Sequence, residues 1–360
     1  MIKVLITEDS PVVRGYLKYI LDSDPDIEVV GTASDGEEAV KMVKDTNPDV
    51  VTMDIHMPKM DGYQATRRIM ETSPVPIVIC SASWNPEEVE KTFRTMEAGA
   101  VAALEKPRGP GHPDSDSSVG ELLNTVKLMS GVKVVRRWSQ DRHKVRETKI
   151  KSAFPETPAS SAHTAKSDHR LIAVGSSTGG PLVLQTLLAG LPKDFPLPVV
   201  IVQHIASGFL AGLCEWLGRT TGFRVRIPEN GEKLLPGYAY LAPDKFQIAI
   251  DPHMKVVLTE DHSGQGLCPS VSHLFNSVVN RFGKKVIAVL LTGMGKDGAA
   301  ELKKLHDLGA FTIAQDKETS VVHGMPGEAI KLGGASAVLP SAQIAEKLID
   351  LVVSSKTVDA

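Results

Sequence analysis

The chain has 360 residues, of which 42% are hydrophobic and 23% charged, and its formal net charge is −3. These proportions exclude a disordered or fibrous chain, and the length predicts two domains at about 100 to 200 residues per domain. The near balance of charge gives no reason to expect nucleic acid or an anionic membrane surface as a partner.

The cysteines and the N-terminus indicate the compartment. Cys80, Cys214 and Cys268 lie far apart, and an odd number at such spacing argues against a disulfide framework. The opening residues MIKVLITEDS carry two carboxylates and do not resemble a signal peptide. No apolar run approaches the roughly 18 residues of a membrane span. We therefore expect a cytoplasmic, monomeric protein that does not insert into a membrane.

The first hundred residues alternate short apolar runs with amphipathic helical patterns. The strand candidates are KVLIT, IEVVGTA, DVVTMD, PIVICSA and AVAALE. Strand and helix repeated five times predict a parallel, doubly wound sheet. A fifth helix, VGELLNTVKLMSG, follows the turn-rich RGPGHPDSDSS and completes a first domain, which we place at residues 1–130.

Residues 131–168 carry clustered Arg and Lys and then Ser, Thr, Ala and Pro without apolar periodicity, which predicts a flexible linker. A second alternating series at 169–354 predicts another α/β domain. Its strand candidates are LIAVGS, LPVVIVQH, FRVRIP, YAYLA, QIAID, KVVLTE, VIAVLLTG, FTIAQD and SAVL. Long helical patterns separate the first two strands and the seventh from the eighth. The short middle strands predict an antiparallel insertion in a parallel sheet.

Charged side chains follow three strands of the first domain. Glu8 and Asp9 close the first strand, Asp54 the third, and Lys106 the fifth. Ligands of open parallel sheets bind beyond the carboxyl ends of the strands. Converging carboxylates need a cation such as Mg²⁺, and a lysine opposite them would neutralise a phosphoryl group.

The motifs TEDS, DIHMPKMDG and EKP, at these separations, resemble the receiver domain of bacterial response regulators. The resemblance implies a flavodoxin-like fold in which a histidine kinase phosphorylates Asp54. The family usually has an aromatic residue at the position of Ala103. The implied supporting residues are Glu8, Asp9, Asp54 and the His56 carbonyl for Mg²⁺, Lys106 for the phosphoryl group and Ser81 as the switch hydroxyl.

The second domain has a serine loop and two further polar residues at strand ends. Ser177 lies in GSSTGGP, which fits the G-x-S-x-G pattern of a nucleophile exposed at a helix N-terminus. His204 ends the next strand, and Asp297 follows the strand VIAVLL. Because the strand ends share one sheet edge, these residues predict a nucleophile, base and orienting carboxylate.

The stretch GMGKDG, residues 293–298, supports a competing interpretation because it fits the glycine fingerprint of dinucleotide-binding proteins. Asp316 lies about 20 residues further on, where the ribose would need a carboxylate. This interpretation leaves Ser177 and His204 without a role. The triad uses both of them together with Asp297, and we therefore favour it.

The segments VGSSTGGP, VQHIASGF and LLTGMGKDGA resemble the catalytic domain of the chemotaxis protein-glutamate methylesterases. The resemblance implies hydrolysis of glutamate γ-methyl esters on methyl-accepting chemotaxis receptors, with release of methanol, and often deamidation of receptor glutamines. It matches Ser177, His204 and Asp297 to the triad. The expected oxyanion donors are the backbone N–H groups of Thr178 and Met294, and the esterase needs no cofactor.

Two other classes of protein stay open at this stage: a nicotinamide oxidoreductase, and a phosphorylation-dependent binding protein without turnover. No basic helix-turn-helix pattern follows the receiver, which disfavours a transcription factor. Because a triad needs no phosphate, we expect regulation by access. The unphosphorylated receiver would cover Ser177 with the face formed by its fourth and fifth strands.

Overall fold

The computed structural model describes residues 1–81, 86–134, 168–206, 208–261 and 267–352. Most of the predicted linker, residues 135–167, lies outside this set. The described residues form two parallel sheets with helices on both faces, which confirms the predicted fold class. No helix in the described ranges is long and apolar enough to cross a bilayer. All three cysteines are free thiols.

The first sheet has five parallel strands in the order β2-β1-β3-β4-β5. This order is that of flavodoxin-like folds. Its strands are β1 (Ile2–Thr7), β2 (Ile27–Ala33), β3 (Val50–Met53), β4 (Ile77–Ser81) and β5 (Ala102–Glu105). Its helices are α1 (Pro11–Asp22), α2 (Gly36–Thr46), α3 (Gly62–Thr72), α4 (Pro86–Ala98) and α5 (Ser115–Ser130).

Helix starts in this domain follow from capping residues in the sequence. The side chain of Asp35 caps α2 by accepting from the N–H of Glu38 at 2.9 Å. Asp61 and Gln64 form a reciprocal capping box at α3. Helix α5 begins at Ser115, inside the segment that we predicted as turn-rich. The prediction was wrong there because Ser and Asp favour the first turn of a helix as well as turns.

The second sheet has seven strands, all parallel, in the order β14-β13-β12-β6-β7-β9-β8. Its strands are β6 (Leu171–Ser176), β7 (Val199–Gln203), β8 (Arg224–Arg226), β9 (Tyr238–Leu241), β12 (Val286–Leu290), β13 (Phe311–Gln315) and β14 (Ala337–Leu339). An antiparallel hairpin is separate from this sheet and consists of β10 (Phe246–Ile250) and β11 (Val256–Glu260). The predicted antiparallel insertion is thus confirmed only for the hairpin, because β8 and β9 join the parallel sheet.

Six helices surround the second sheet in the described residues. They are α6 (Gly180–Gly190), α7 (Leu210–Thr221), α8 (Val271–Phe282), α9 (Ala299–Asp307), α10 (Met325–Lys331) and α11 (Ser341–Val352). The sequence predicted the helices α6 and α9 but not α7, α8, α10 and α11. Strands β12, β6 and β7 are neighbours in the sheet, so the loops that follow them meet at one edge. The candidate site lies at this edge.

Candidate active site

Ser177 begins the tight connection from β6 to α6. Its N–H donates to the carbonyl oxygen of Thr292 at 3.0 Å, and its own carbonyl accepts from Gly180 at 2.8 Å. The loop turns through Gly179, whose φ of +79° lies in the left-handed region that favours glycine. A Cβ at Gly293 would lie 2.7 Å from the Ser177 Cβ. Glycine at 293 therefore lets the loop after β12 pack directly against the nucleophile.

His204 follows the last residue of β7, and its N–H continues the sheet ladder by donating to Ser176 at 2.9 Å. The ring Nε2 lies 3.0 Å from Oδ2 of Asp297. The side chains of both residues are largely buried, with 14% and 11% of their area exposed. A carboxylate accepts, so the proton between them belongs to Nε2, and Nδ1 is the ring nitrogen left to act as a base.

Asp297 precedes α9 in the chain, and its carboxylate contacts the N-terminus of α8. The N–H groups there lack partners within the helix. It accepts hydrogen bonds from Ser270 Oγ at 2.9 Å, the Val271 N–H at 2.7 Å and the Ser272 N–H at 2.9 Å. Burial acts to raise the pKa of Asp297, but the hydrogen bonds from His204, Ser272 and Val271 outweigh it and hold the pKa well below the usual value. The carboxylate therefore stays charged at neutral pH and orients the imidazole.

The structure brings Ser177 and His204 to one cleft of about 390 Å³. Within the described residues the Ser177 hydroxyl forms no hydrogen bond with the His204 ring, so only the His204–Asp297 half of the triad is closed. Catalytic hydrogen bonds are often long without substrate and tighten in the Michaelis complex. The arrangement can supply a nucleophile, a base and an orienting carboxylate.

The two expected oxyanion donors belong to two loops, because Thr178 directly follows Ser177 and Met294 lies in the loop after β12. Thr178 lines the cleft, and the Thr292 hydroxyl donates to its carbonyl at 2.9 Å. Met294 follows Gly293 and has 51% of its area exposed. Neither backbone N–H forms a hydrogen bond with another described residue, so both remain able to bind a negatively charged oxygen.

The receiver domain supplies the opposite wall of the cleft. Seven of its residues line the same space as Ser177 and His204, and they come from α4, β5 and α5: Phe93, Met96, Ala102, Ala103, Leu104, Glu121 and Thr125. The position that is usually aromatic in receivers, Ala103, therefore faces the cleft. The fifth strand and the helices beside it therefore face the edge that holds Ser177 and His204, whereas no residue of the fourth strand lines the cleft.

Helix α4 of the receiver packs against α7 of the second domain. Phe93 stacks on Trp216 with ring centroids 4.8 Å apart and an interplanar angle of 17°. It also meets Phe209 edge to face at 6.3 Å. A Cβ at Gly212 would lie 2.2 Å from Cγ1 of Val89. Polar pairs at the rim join Glu90 to Arg219 and Glu97 to Gln185. The receiver is thus held over the cleft by a tightly packed aromatic contact.

The acidic residues of the receiver meet at the carboxyl edge of the first sheet. Carboxylate oxygens of Glu8, Asp9 and Asp54 lie within 4.8 Å of one another. Lys106 Nζ lies 2.7 Å from Glu8 and 2.9 Å from Asp54. Ser81 is buried at the end of β4. The structure thus brings the predicted acidic residues and the lysine together, while His56 is exposed.

Three carboxylates and one ammonium leave this site with excess negative charge. Burial, together with the charge of Asp54, raises the pKa of Glu8 although Lys106 opposes this. Burial alone would lower the pKa of Lys106, but Glu8 and Asp54 raise it. Oxygen donors with excess negative charge are the set that Mg²⁺ prefers, so these residues fit that ion.

The structure contradicts the dinucleotide interpretation of GMGKDG. Gly293 packs on Ser177 and on Met325, whose Sδ would lie 2.3 Å from an added Cβ, so the absence of a side chain here allows contact within the protein. The N–H of Gly298 donates to Ser272 Oγ at 2.9 Å. Asp316 accepts from the N–H and hydroxyl of Thr319 and closes a local turn. Gly293 and Gly298 therefore serve close contact within the protein, and Gly295 serves the turn through its φ of +83°.

Several residues that position the triad were not identified from the sequence. Ser270, Val271 and Ser272 hold Asp297, and the helix start at α8 was the signal that could have identified them. Thr292 donates to Thr178 and holds the N–H of Val322 at 3.0 Å. These hydrogen bonds depend on the tertiary arrangement of four separate loops, which spacing along the chain does not reveal.

Both domains match known protein families. Residues 172–348 match the family model described as CheB methylesterase, and residues 4–112 match that of the response regulator receiver domain. A protein-glutamate methylesterase/protein-glutamine glutaminase of Geobacter metallireducens is 51% identical over 98% of this chain and 99% of its own length. One of Nitrosospira multiformis is 49% identical over 98% of this chain and 97% of its own. The crystal structure of the Thermotoga maritima CheB methylesterase catalytic domain is 40% identical, covers 51% of this chain and 98% of its own, and has a TM-score of 0.49.

Proposed function

The chain belongs to the CheB methylesterase family, and from this premise we propose that it hydrolyses glutamate γ-methyl esters on methyl-accepting chemotaxis receptors under control of receiver phosphorylation. The observation that carries the proposal is that Ser177 and His204 line one cleft while Asp297 is hydrogen-bonded to the His204 ring. The names of the similar proteins include protein-glutamine glutaminase. We therefore extend the proposal to deamidation of receptor glutamines in the cytoplasm.

The proposed mechanism begins when Nδ1 of His204 takes the proton of the Ser177 hydroxyl as its oxygen attacks the ester carbonyl. The N–H groups of Thr178 and Met294 stabilise the oxyanion, and one such donor contributes about 2.7 to 4 kcal/mol. His204 then returns the proton to the leaving methoxide, and methanol departs. A water molecule cleaves the glutamyl ester of Ser177 by the same steps, leaving the receptor carboxylate.

The same machinery accounts for deamidation. A glutamine side chain presents a carbonyl of the same shape, and its leaving ammonia takes the proton from His204 where methanol does so in the ester. Mass spectrometry of receptor peptides after incubation with the chain tests both reactions. We expect methylated glutamates to lose a methylene mass and receptor glutamines to become glutamates. Unchanged peptides with an enzyme that is folded and phosphorylated would contradict the proposal.

In the receiver we propose that Glu8, Asp9, Asp54 and the carbonyl of His56 hold Mg²⁺, which when bound neutralises charge on the incoming phosphoryl group. A histidine kinase or a small phosphodonor supplies that group to Asp54. Lys106 lies 2.9 Å from the Asp54 carboxylate and would contact the phosphoryl oxygens. Ser81, at the neighbouring strand end, would move toward them as the switch hydroxyl.

We expect Asp54→Asn to abolish phosphate incorporation, because the amide oxygen cannot form the acyl phosphate. Radiolabelled phosphate transfer from a small phosphodonor, with and without Mg²⁺, measures this. Asp45→Asn is the matched control, since Asp45 is an exposed carboxylate on α2, and it should incorporate phosphate normally. Label that persists in Asp54→Asn, or that forms without a divalent cation, would count against the assignment.

The structure also predicts that weakening the α4–α7 contact activates the unphosphorylated enzyme. Phe93→Ala removes the stacking of Phe93 on Trp216, which stabilises the contact by about 0.5 to 1.5 kcal/mol. It also removes the apolar area that the Phe93 ring buries. Since 1.4 kcal/mol is about tenfold in an equilibrium constant, we expect the basal rate of methanol release to rise about tenfold. Tyr19→Ala removes an aromatic ring that is 73% exposed on α1 and should leave the rate unchanged. Equal rates for both variants would show that this contact does not limit access.

A further inference from the structure

The last residue of β7, Gln203, has a buried amide that the mechanism above does not use. Only 3% of its area is exposed. Its Nε2 donates to the carbonyl oxygen of Ser177 at 2.8 Å and to that of His204 at 2.7 Å. Its Oε1 accepts from the hydroxyl of Ser176 at 2.7 Å. One side chain therefore bonds the backbones of the nucleophile and the base.

The partners of Gln203 fix its orientation. Two carbonyl oxygens can only accept, so the atom that faces them must be the amide nitrogen. A flipped amide would place Oε1 against both carbonyls and leave the nitrogen beside the Ser176 hydroxyl. Gly180, at the start of α6, leaves room for the amide, because a Cβ there would lie 2.1 Å from Oε1. The turn after the nucleophile is thus built around this side chain.

We propose that Gln203 is a positioning residue, which holds Ser177 and His204 at the separation that proton transfer requires. The inference rests on the proposed triad and goes beyond it. Each residue is held at its N–H by the protein backbone, Ser177 through Thr292 and His204 through Ser176. Gln203 holds both at the carbonyl side. Its Nε2 is a single atom bonded to both loops, so it fixes their distance from each other.

The reacting atoms require such control because the Ser177 hydroxyl is not yet bonded to the His204 ring. Their approach depends on how far each loop can drift from its strand. A displacement of about 1 Å in a catalytic site can reduce the rate about 10²-fold. Removing the clamp should therefore lower kcat and leave KM almost unchanged, since the amide does not contribute to docking of the receptor.

Two substitutions of similar size separate hydrogen bonding from volume. Gln203→Met keeps the length and removes the donors and the acceptor. Gln203→Glu keeps the acceptor for Ser176 and replaces the nitrogen with an oxygen that faces two carbonyls. We measure methanol release by the full chain and divide the rate by the number of active sites. We expect both substitutions to lower the resulting kcat about 10²-fold. Sites are counted by titration of Ser177 with a fluorophosphonate, so misfolded enzyme does not enter the rate.

A smaller change within the same cluster gives a second readout. Ser176→Ala removes the donor to Oε1 and leaves the two nitrogen bonds in place, so we expect a loss of only a few fold. In Gln203→Met, the additional Ser176→Ala change should cost nothing further, because both act through one amide. Leu348→Ala, a buried residue of α11, is the stability control. It should lower the melting temperature and keep the wild-type rate per site.

Wild-type kcat per titrated serine in Gln203→Met would overturn the proposal, as would independent, multiplying losses from Ser176→Ala and Gln203→Met. A fall in the number of titrated sites with an unchanged rate per site would also overturn it, because Gln203 would then serve only the stability of the fold. The rate constant of fluorophosphonate labelling makes the test independent of the substrate. If the chain labels but releases no methanol, the proposed substrate is wrong, while slower labelling of the Gln203 variants still supports the clamp.

Discussion

Ser177→Ala should reduce methanol release from methylated receptor membranes by about 10⁶-fold in kcat, the size of effect that removal of the nucleophile has in a serine protease. The hydroxyl provides the covalent step and little packing, so the melting temperature should stay close to that of the wild-type protein. Fluorophosphonate labelling of the chain should disappear at the same time. Ser341→Ala, at the start of α11, is the control and should retain both activities.

A Ser177→Ala variant that still releases methanol at a substantial fraction of the wild-type rate would remove the serine from the chemistry. The reaction would then have to proceed by direct attack of water. Loss of labelling without loss of methanol release would lead to the same conclusion, because the probe and the ester would then react at different groups.

The second large effect is expected for Asp297→Asn, which should lower kcat about 10⁴-fold, as the equivalent change does in serine proteases. The neutral amide no longer selects the tautomer with the proton on Nε2, and Nδ1 then loses its capacity to accept the Ser177 proton. The variant should also be slightly less stable, because a charge that favours the N-terminus of α8 is lost. Such charges contribute about 0.3 to 1 kcal/mol, or up to about 2 kcal/mol when partly buried.

Asp316→Asn is the matched control for this experiment. The chemical change is the same, and Asp316 is the carboxylate that the dinucleotide interpretation required. Its side chain accepts hydrogen bonds from the N–H and hydroxyl of Thr319 in a local turn. We expect it to keep the wild-type rate. Severe loss in Asp316→Asn with little change in Asp297→Asn would reverse the assignment of the two carboxylates.

The strands and the proximity of the candidate catalytic residues were predictable from the sequence because each depends on local signals. Buried parallel strands are continuous apolar runs, and all nine runs marked in the second domain are strands. Ser177 and His204 directly follow strands that pair along Ser176 and Gln203. Residues at adjacent strand ends must be neighbours, so residue type and position together predicted the site.

Other features depend on contacts that distant segments make. Helix α7 has four glycine or threonine positions that weaken a helical pattern, and it is stabilised by packing Trp216 on Phe93 of the other domain. Strands β8 and β9 are too short for their direction to be predicted. The choice of Nε2 of His204 as the partner of Asp297 depends on how the two loops meet in the folded chain, and the sequence carries no signal for it.

The receiver face over the cleft was predicted, but the atoms that hold it were not. The fourth and fifth strands were predicted from the sequence because Ser81 and Lys106, at their ends, would move toward a phosphoryl group on Asp54. The aromatic contact of Phe93 with Trp216 and Phe209 joins residues more than a hundred positions apart, and aromatic residues in a helix are more often core residues of their own domain. The sequence therefore does not show that Phe93 is buried against the other domain.

Methanol release by the full chain, before and after phosphorylation, is the most direct test of the central claim. The protein is incubated with methylated receptor membranes and Mg²⁺, and a small phosphodonor is then added. We predict slow release at first, because the receiver covers Ser177, and a faster rate once Asp54 is phosphorylated. No methanol under either condition, from a chain whose Ser177 reacts with a fluorophosphonate, would contradict the claim that receptor glutamate methyl esters are its substrate.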